Sequence, residues 1–178
     1  MKNEYIKSER LTYRPYKMQD VHTLVKLRNE NSRRRWFYFQ EPDVLTEENA
    51  IKSIKDNMEL WSRKVDILKE EAGFAIALKS TGELIGFLGL GKARCEHVEI
   101  GYEIGEQYQN NGYATEAVKA AVEWGFSRLK EVGAELKIVC KAEHENWASR
   151  KVAEKAGFTF SHAEQYVSVY EINEGVRK

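Results

Sequence analysis

Gln109-Asn110-Asn111-Gly112-Tyr113-Ala114 joins two segments whose apolar residues follow different periods, and this junction constrains the fold more than any other stretch. Upstream, His97 to Ile104 alternates and reads as a strand. Downstream, Ala114, Ala117, Val118, Ala121, Val122, Gly125, Phe126 and Leu129 recur at helical spacing and predict an amphipathic helix. The residues between form a strand-to-helix turn. Such a turn aims several unpaired backbone N–H groups, and the positive end of the helix dipole, at one point. That point favours phosphate. Gly112 lacks a Cβ, so a ligand can approach the main chain there. Gln109, Asn110 and Asn111 add neutral donors. An Asn-Gly pair alone would predict a hairpin turn, but the helical period after it argues against one.

The rest of the chain is read around that turn. At 178 residues it is long enough to bury a core, and residues 1–178 are expected to form a single domain. Lys and Arg number 28, and so do Asp and Glu, so nothing marks a dedicated polyanion binder. No apolar run reaches about 18 residues, so no membrane span is expected. Met1 to Tyr5 contains no apolar signal region. Cys95 and Cys140 lack paired spacing, so neither a disulfide framework nor a zinc site is expected. These features predict a soluble, cytoplasmic protein.

Leu11 to Arg14 alternates and then meets Pro15, predicting a first strand at a sheet edge. Asp20 is the expected cap of a helix carrying Val21, Leu24, Val25 and Leu27. Arg33-Arg34-Arg35 beside Trp36-Phe37-Tyr38-Phe39 invites a nucleic-acid reading. The cluster is single and the chain neutral, so the favoured reading is core aromatics with solvated arginines, and no nucleic-acid partner. A third reading makes this segment the wall of an acceptor pocket. Thr46 is the expected cap of a second helix running toward Leu68, with Ala50, Ile51, Ile54, Met58 and Trp61 at helical spacing. Its acid-rich surroundings would tolerate a cationic amine.

The period then changes to two. Phe74 to Leu78 and Glu83 to Leu90 predict a hairpin turning at Ser80-Thr81-Gly82. Gly86, Gly89 and Gly91 imply a bend or close backbone contact. Glu135 to Cys140 reads as a strand after the long helix, so strand, helix and strand form a parallel crossover. Asn146 or Ser149 can cap a further helix stopped by Gly157. Phe158 to Phe160 and Tyr166 to Tyr170 read as the last strands.

Gln109-x-x-Gly112-x-Ala114, placed after a strand and before a helix, resembles the pyrophosphate motif of the GNAT (GCN5-related) N-acetyltransferases. Glu99-Ile100-Gly101-Tyr102 resembles the strand before that motif. Asn146-Trp147-Ala148-Ser149 through Gly157-Phe158 is similar to a segment of the RimJ/RimL-like branch, as is Glu9 through Pro15. The resemblance is loose from about Ser32 to Ala72, where acceptors bind in this family. It implies an α/β fold: a mixed sheet splayed between two parallel strands, with helices on both faces. It implies acetyl-CoA or CoA as co-substrate, with no metal. The acceptor would be a primary amine, on a protein N-terminus or a small molecule. It assigns the pyrophosphate to the main chain of Asn110, Asn111, Gly112, Tyr113, Ala114 and Thr115, beside Gln109. It assigns the pantetheine arm to Ile104 and Asn146, and brings Ser149 near the thioester sulfur. A homodimer is an open expectation.

Amine attack on a thioester requires a proton acceptor, donors for the oxyanion and support for the departing thiolate. Glu99 and Glu103 lie four residues apart, on one face of a regular strand, and either can be the base unless a bulge breaks the parity. The family position favours Glu99. Either could equally be a solvated face residue. Ser149 can support the thiolate, cap a helix, or do both. His22, His97, His144 and His162 are scattered and form no His-Glu-x-x-His metal motif. The alternative function is a non-catalytic acyl-CoA sensor or interaction module on the same fold.

Overall fold

The structure of the chain, a computed structural model, describes residues 6–36, 44–92 and 97–174. Phe37, Tyr38, Phe39 and Cys95 therefore lie outside the described residues. The first strand, β1 (Leu11–Arg14), buries Leu11 and Tyr13 and exposes Thr12 between them. It sits at the sheet edge, as the following proline predicts. Helix α1 (Val21–Arg28) starts after Asp20, but the expected cap bond is absent. The Asp20 carboxylate instead accepts from the Arg14 guanidinium at 2.6 and 2.9 Å and from the Lys17 main chain at 2.7 Å. A bidentate charged pair outcompetes a neutral cap.

The basic segment folds as a short helix, α2 (Asn31–Trp36). Arg33 is not solvated, contrary to expectation: it is 5% exposed and pairs with Glu103 at 2.8 Å. Helix α3 (Glu47–Leu60) is capped by Thr46, whose Oγ1 accepts from Asn49 N–H. It stops well short of Leu68 because Trp61 is anchored in the core. The Trp61 indole donates to Gly73 O at 2.8 Å, and its ring lies 4.7 Å from that of Phe74.

Next come β2 (Glu71–Leu78) and β3 (Leu84–Gly91), paired antiparallel through the predicted turn. β4 (Val98–Ile104) pairs antiparallel with β3 without a register shift. Gly86 lies directly against the Glu103 carbonyl, which is the close backbone contact its sequence implies. After the turn runs α4 (Tyr113–Glu131), then β5 (Lys137–Glu143), α5 (Trp147–Lys155), β6 (Thr159–Ala163) and β7 (Val167–Asn173). The strands form one seven-stranded mixed sheet in the order β1-β2-β3-β4-β5-β7-β6.

Register sorts the sheet into two faces. Phe74, Leu88 and Tyr102 are direct cross-strand partners, as are Ala72, Leu90 and Ile100. This face packs against α4, through Ala117, Val118, Ala121 and Phe126, and against Ala153 and Ala156 at α5. Full burial of each large apolar side chain contributes about 1.5–3 kcal/mol. The opposite face carries Ala75 beside Phe87 and Glu103, Gly73 beside Gly89 and Gly101, and Glu71 beside Gly91 and Glu99. Leu24, Leu27, Ala50 and Ile54 of α1 and α3 cover part of it. Among the described residues no helix is long and apolar enough to cross a membrane.

Candidate active site

The parallel ladder between β4 and β5 is short. Val98 pairs with Ile138 and Glu99 with Val139, and beyond that point the two strands part. A cavity of about 380 Å³ follows from the gap, large enough for part of a ligand. Its walls include Tyr102, Glu103 and Ile104 from β4, Gly112 to Thr115 from the turn and α4, Asn146 at the cap of α5, Ser149 and Lys151 from α5, and Arg33 and Trp36 from α2.

The turn at the base of α4 has the geometry of an anion cradle. The helical ladder begins with Glu116 N–H donating to Gly112 O at 3.0 Å, so the amides of Tyr113, Ala114 and Thr115 precede it. Gly112 sits at φ 80° and Asn110 at φ 62°, both in the left-handed region. Glycine at 112 is favoured by this conformation and not by crowding within the protein: among the described residues a Cβ there would meet only the Arg10 guanidinium, at 3.5 Å, an ordinary contact distance. Two of the three side-chain amides expected as donors, those of Gln109 and Asn111, are used inside the protein. Gln109 Nε2 donates to Ile104 O at 3.0 Å, and Asn111 Nδ2 donates to Tyr108 O and Gln109 O. They shape the turn and leave its main chain to meet a ligand.

Arg10 braces this turn from outside the cavity. Its main-chain N–H and its Nε each donate to the Glu116 carboxylate at 2.7 Å, and Nη1 donates to Asn111 O at 3.0 Å. The guanidinium stacks over Tyr113, 4.5 Å from the ring centre. Burial alone would raise the Glu116 carboxyl, but these bonds outweigh it and hold the group below the ordinary range. Glu116 would otherwise place a bare negative charge in the first turn of a helix suited to an anion.

Ser149 is not the helix cap. Asn146 is, its Oδ1 accepting from Ser149 N–H at 3.0 Å. The Ser149 hydroxyl instead meets the Tyr102 hydroxyl at 2.9 Å. Glu103 carries ion pairs to Arg33 at 2.8 Å and Arg28 at 3.8 Å, with only 10% of its side chain exposed. Glu99 is partly buried on the same sheet face, beyond the cavity wall, where β4 and β5 are still paired. No bulge separates the two carboxylates. Glu71 joins that face, and its carboxylate lies over Gly89, the strand neighbour of Gly101. Among the described residues, a Cβ on Gly101 would meet nothing within 4 Å.

Of the residues singled out in the sequence, Ile104, Gln109, Asn110, Gly112, Tyr113, Ala114, Thr115, Asn146 and Ser149 line the cavity, whereas Asn111 and Glu99 do not. Glu99 and Ser149 lie on opposite faces of the sheet, and only Ser149 lines the cavity. From sequence, Tyr102, Arg10 and Glu71 carry no site role, and Arg33 carries one only in the third reading, which makes its segment the wall of an acceptor pocket. Tyr102 is core by parity, and the others join it only through long-range pairing. Lys151 and Lys155 line the wall at a spacing of four on α5, a signal that the sequence did carry. Among the described residues no group of three His, Cys, Asp or Glu side chains is placed to hold a metal.

Comparison with known proteins bears on this site. The family model described as Acetyltransferase (GNAT) domain matches residues 10–159. YnaD of Bacillus subtilis (strain 168), named an uncharacterized N-acetyltransferase, is 30% identical over 154 residues, covering 86% of this chain and 81% of YnaD. The crystal structure of a GNAT-family acetyltransferase from Bacillus anthracis superposes with a TM-score of 0.75 at 25% identity, covering 95% of this chain and 98% of that one. The spermidine N-acetyltransferase of Vibrio cholerae, in complex with CoA and spermine, shares the fold with a TM-score of 0.71 at 18% identity, covering 92% and 95%.

Proposed function

The chain belongs to the acetyltransferase (GNAT) family, and from that premise we propose that it moves an acetyl group from acetyl-CoA to a primary amine by direct attack. The acceptor is a protein N-terminal amine or a small-molecule amine. One observation carries the reading: β4 and β5 part just after Glu99, whose carboxylate belongs to one sheet face at the start of the gap, while the Ser149 hydroxyl lines the cavity from the other face. A thioester held in the gap is then open to attack from one side and to support of its leaving group from the other.

The amides at the start of α4 bind the diphosphate, and Lys151 and Lys155 add positive charge along the same wall. The pantetheine arm follows the unpaired edge of β4 past Ile104 toward Ser149. The amine arrives over Gly101. Glu99 takes a proton from the ammonium, directly or through water, and the neutral amine attacks the carbonyl carbon. The C–S bond breaks, its electron pair passes to sulfur, and the nitrogen, charged by the attack, gives its second proton to water. Ser149 donates a hydrogen bond to the thiolate. Main-chain N–H groups of the splayed strand stabilise the oxyanion. Spermine in the Vibrio cholerae protein keeps polyamines among the small acceptors to be assayed.

No acyl-enzyme is needed. Burial, with a smaller contribution from the Glu99 charge, pushes the Cys140 thiol up to about 12, which makes it a poor nucleophile. With both substrates varied, initial velocities should give converging reciprocal plots, as a ternary complex requires. Parallel plots, the mark of a covalent intermediate, would reject direct transfer.

Further expectations concern the donor half of the site. Arg10→Ala should weaken CoA binding about tenfold and leave acetyl-pantetheine, which lacks the nucleotide, unaffected; calorimetry with both ligands checks this. Its stability consequence has a definite sign. The Glu116 carboxyl is depressed in the folded state, so its contribution is present above the unfolded value, about 4.3. It is lost as pH falls through the folded value, and Arg10→Ala should flatten that acid-side loss. Ser149→Ala should lower kcat by roughly tenfold or more, with CoA affinity little changed, because the lost bond is to a developing charge.

A further inference from the structure

We infer that Tyr102 is a positioning residue for acyl transfer: its hydroxyl holds the Ser149 hydroxyl and frees the Ser149 O–H to turn its hydrogen bond toward the sulfur as the thioester breaks. This rests on the reading of Ser149 as the group facing the departing thiolate.

Tyr102 Oη lies 2.9 Å from Ser149 Oγ and 3.1 Å from Ser149 O. Each hydroxyl has one hydrogen. In one arrangement Tyr102 donates to the Ser149 carbonyl, and Ser149 donates to Tyr102. In the other, Tyr102 donates to Ser149 Oγ, and the Ser149 hydrogen is directed elsewhere. Rotation of two O–H bonds interconverts them, with no heavy atom displaced. Negative charge growing on sulfur favours the second arrangement, and the neutral thioester does not. The bond is thus strengthened in the transition state more than in the ground state, which is the condition for raising kcat. Accepting from Tyr102 also makes the Ser149 hydroxyl a better donor.

The surroundings fix the pair. Asn146 holds the Ser149 main chain through its cap bond, so the side chain has a defined origin. Tyr102 springs from β4 on the α4 and α5 face, and its ring belongs to the core row with Phe74 and Leu88. It therefore reaches across the gap between β4 and α5 from a rigid base. Both residues line the cavity. Burial pushes the phenol well above its ordinary range, an effect that the bond to Ser149 only partly offsets. Tyr102 thus stays protonated and donates a hydrogen bond; no proton is consumed from it. Of the two protons lost by the nitrogen, one leaves through Glu99 before attack and the other passes to water after it.

A double-mutant cycle on kcat, with melting temperature and CoA affinity measured alongside, tests this. Tyr102→Phe removes one oxygen and keeps the ring, so the core row is retained. It is expected to lower kcat about tenfold in the otherwise unaltered protein, with little change in CoA affinity. In the Ser149→Ala background the same change should have almost no effect on kcat. Equal losses of kcat in both backgrounds, or a loss confined to CoA affinity and melting temperature, would make Tyr102 a structural strap and overturn the inference. If Ser149→Ala lowers kcat and Tyr102→Phe does not, Tyr102 alone is misassigned. If Ser149→Ala leaves kcat unchanged, the reading of Ser149 itself falls, and the role of Tyr102 with it.

Discussion

Glu99→Gln is expected to lower turnover near pH 7 by about a hundredfold or more, with acetyl-CoA saturating. An alkyl amine is mostly protonated at neutral pH and cannot attack until something accepts its proton. Glutamine keeps the shape and hydrogen-bonding capacity of Glu99 and cannot take that proton. Turnover should partly recover at high pH, where more of the amine is neutral. Glu103→Gln separates the two carboxylates of the strand. Glu103 pairs with buried Arg33, so its loss should cost stability, on the order of 3 kcal/mol, rather than reshape the pH profile. The check is a pH–rate profile and a melting curve for both variants. A profile changed by Glu103→Gln and untouched by Glu99→Gln would move the base along the strand.

The second large effect is expected at the turn. Gly112→Val should abolish the stabilisation that CoA confers against heat. At φ 80° a β-branched residue is strained, and relief of that strain would rotate the amides that begin α4 away from their common focus. Gly112→Asn provides the contrast. Asparagine tolerates the left-handed region, as Asn110 already does at φ 62°. If conformation is the main requirement, the asparagine variant keeps CoA affinity within roughly tenfold while the valine variant loses it. If close approach of the ligand dominates, both lose it. Calorimetric titration of the two variants distinguishes these cases, and unchanged affinity in Gly112→Val would mean the turn is not the diphosphate site.

How much of this was legible before the structure depends on the range of the forces involved. The strand, turn and long helix around Gly112 were readable because their signals are local: an alternation, a glycine and a 3.6-residue period. Apolar residues set the hairpin of β2 and β3 in the same way. The polar partners were not readable. Arg33 in a run of arginines looks solvated, and only the approach of Glu103 from a strand 70 residues later buries it. Gln109 looks like a ligand donor, but the carbonyl it bonds belongs to Ile104, which is left exposed by the parting of β4 from β5. Asp20 looks like a cap until Arg14 is placed beside it. Tyr102 fits the apolar face of its strand so well that its hydroxyl attracts no notice. Hydrogen-bond partners separated by dozens of residues leave no periodic trace, and these are the groups that turn a cleft into a site.

The central claim is direct, amine-dependent acetyl transfer. Its most direct test is thiol release from acetyl-CoA against a panel of polyamines and peptides with unblocked N-termini, followed together with the intact mass of the protein. The account predicts release of CoA that depends on at least one amine, an acetylated amine in equal amount, and a protein mass unchanged throughout turnover. Tight binding of acetyl-CoA with no amine-dependent release across the panel, or an acetyl group found on the protein during turnover, would contradict it.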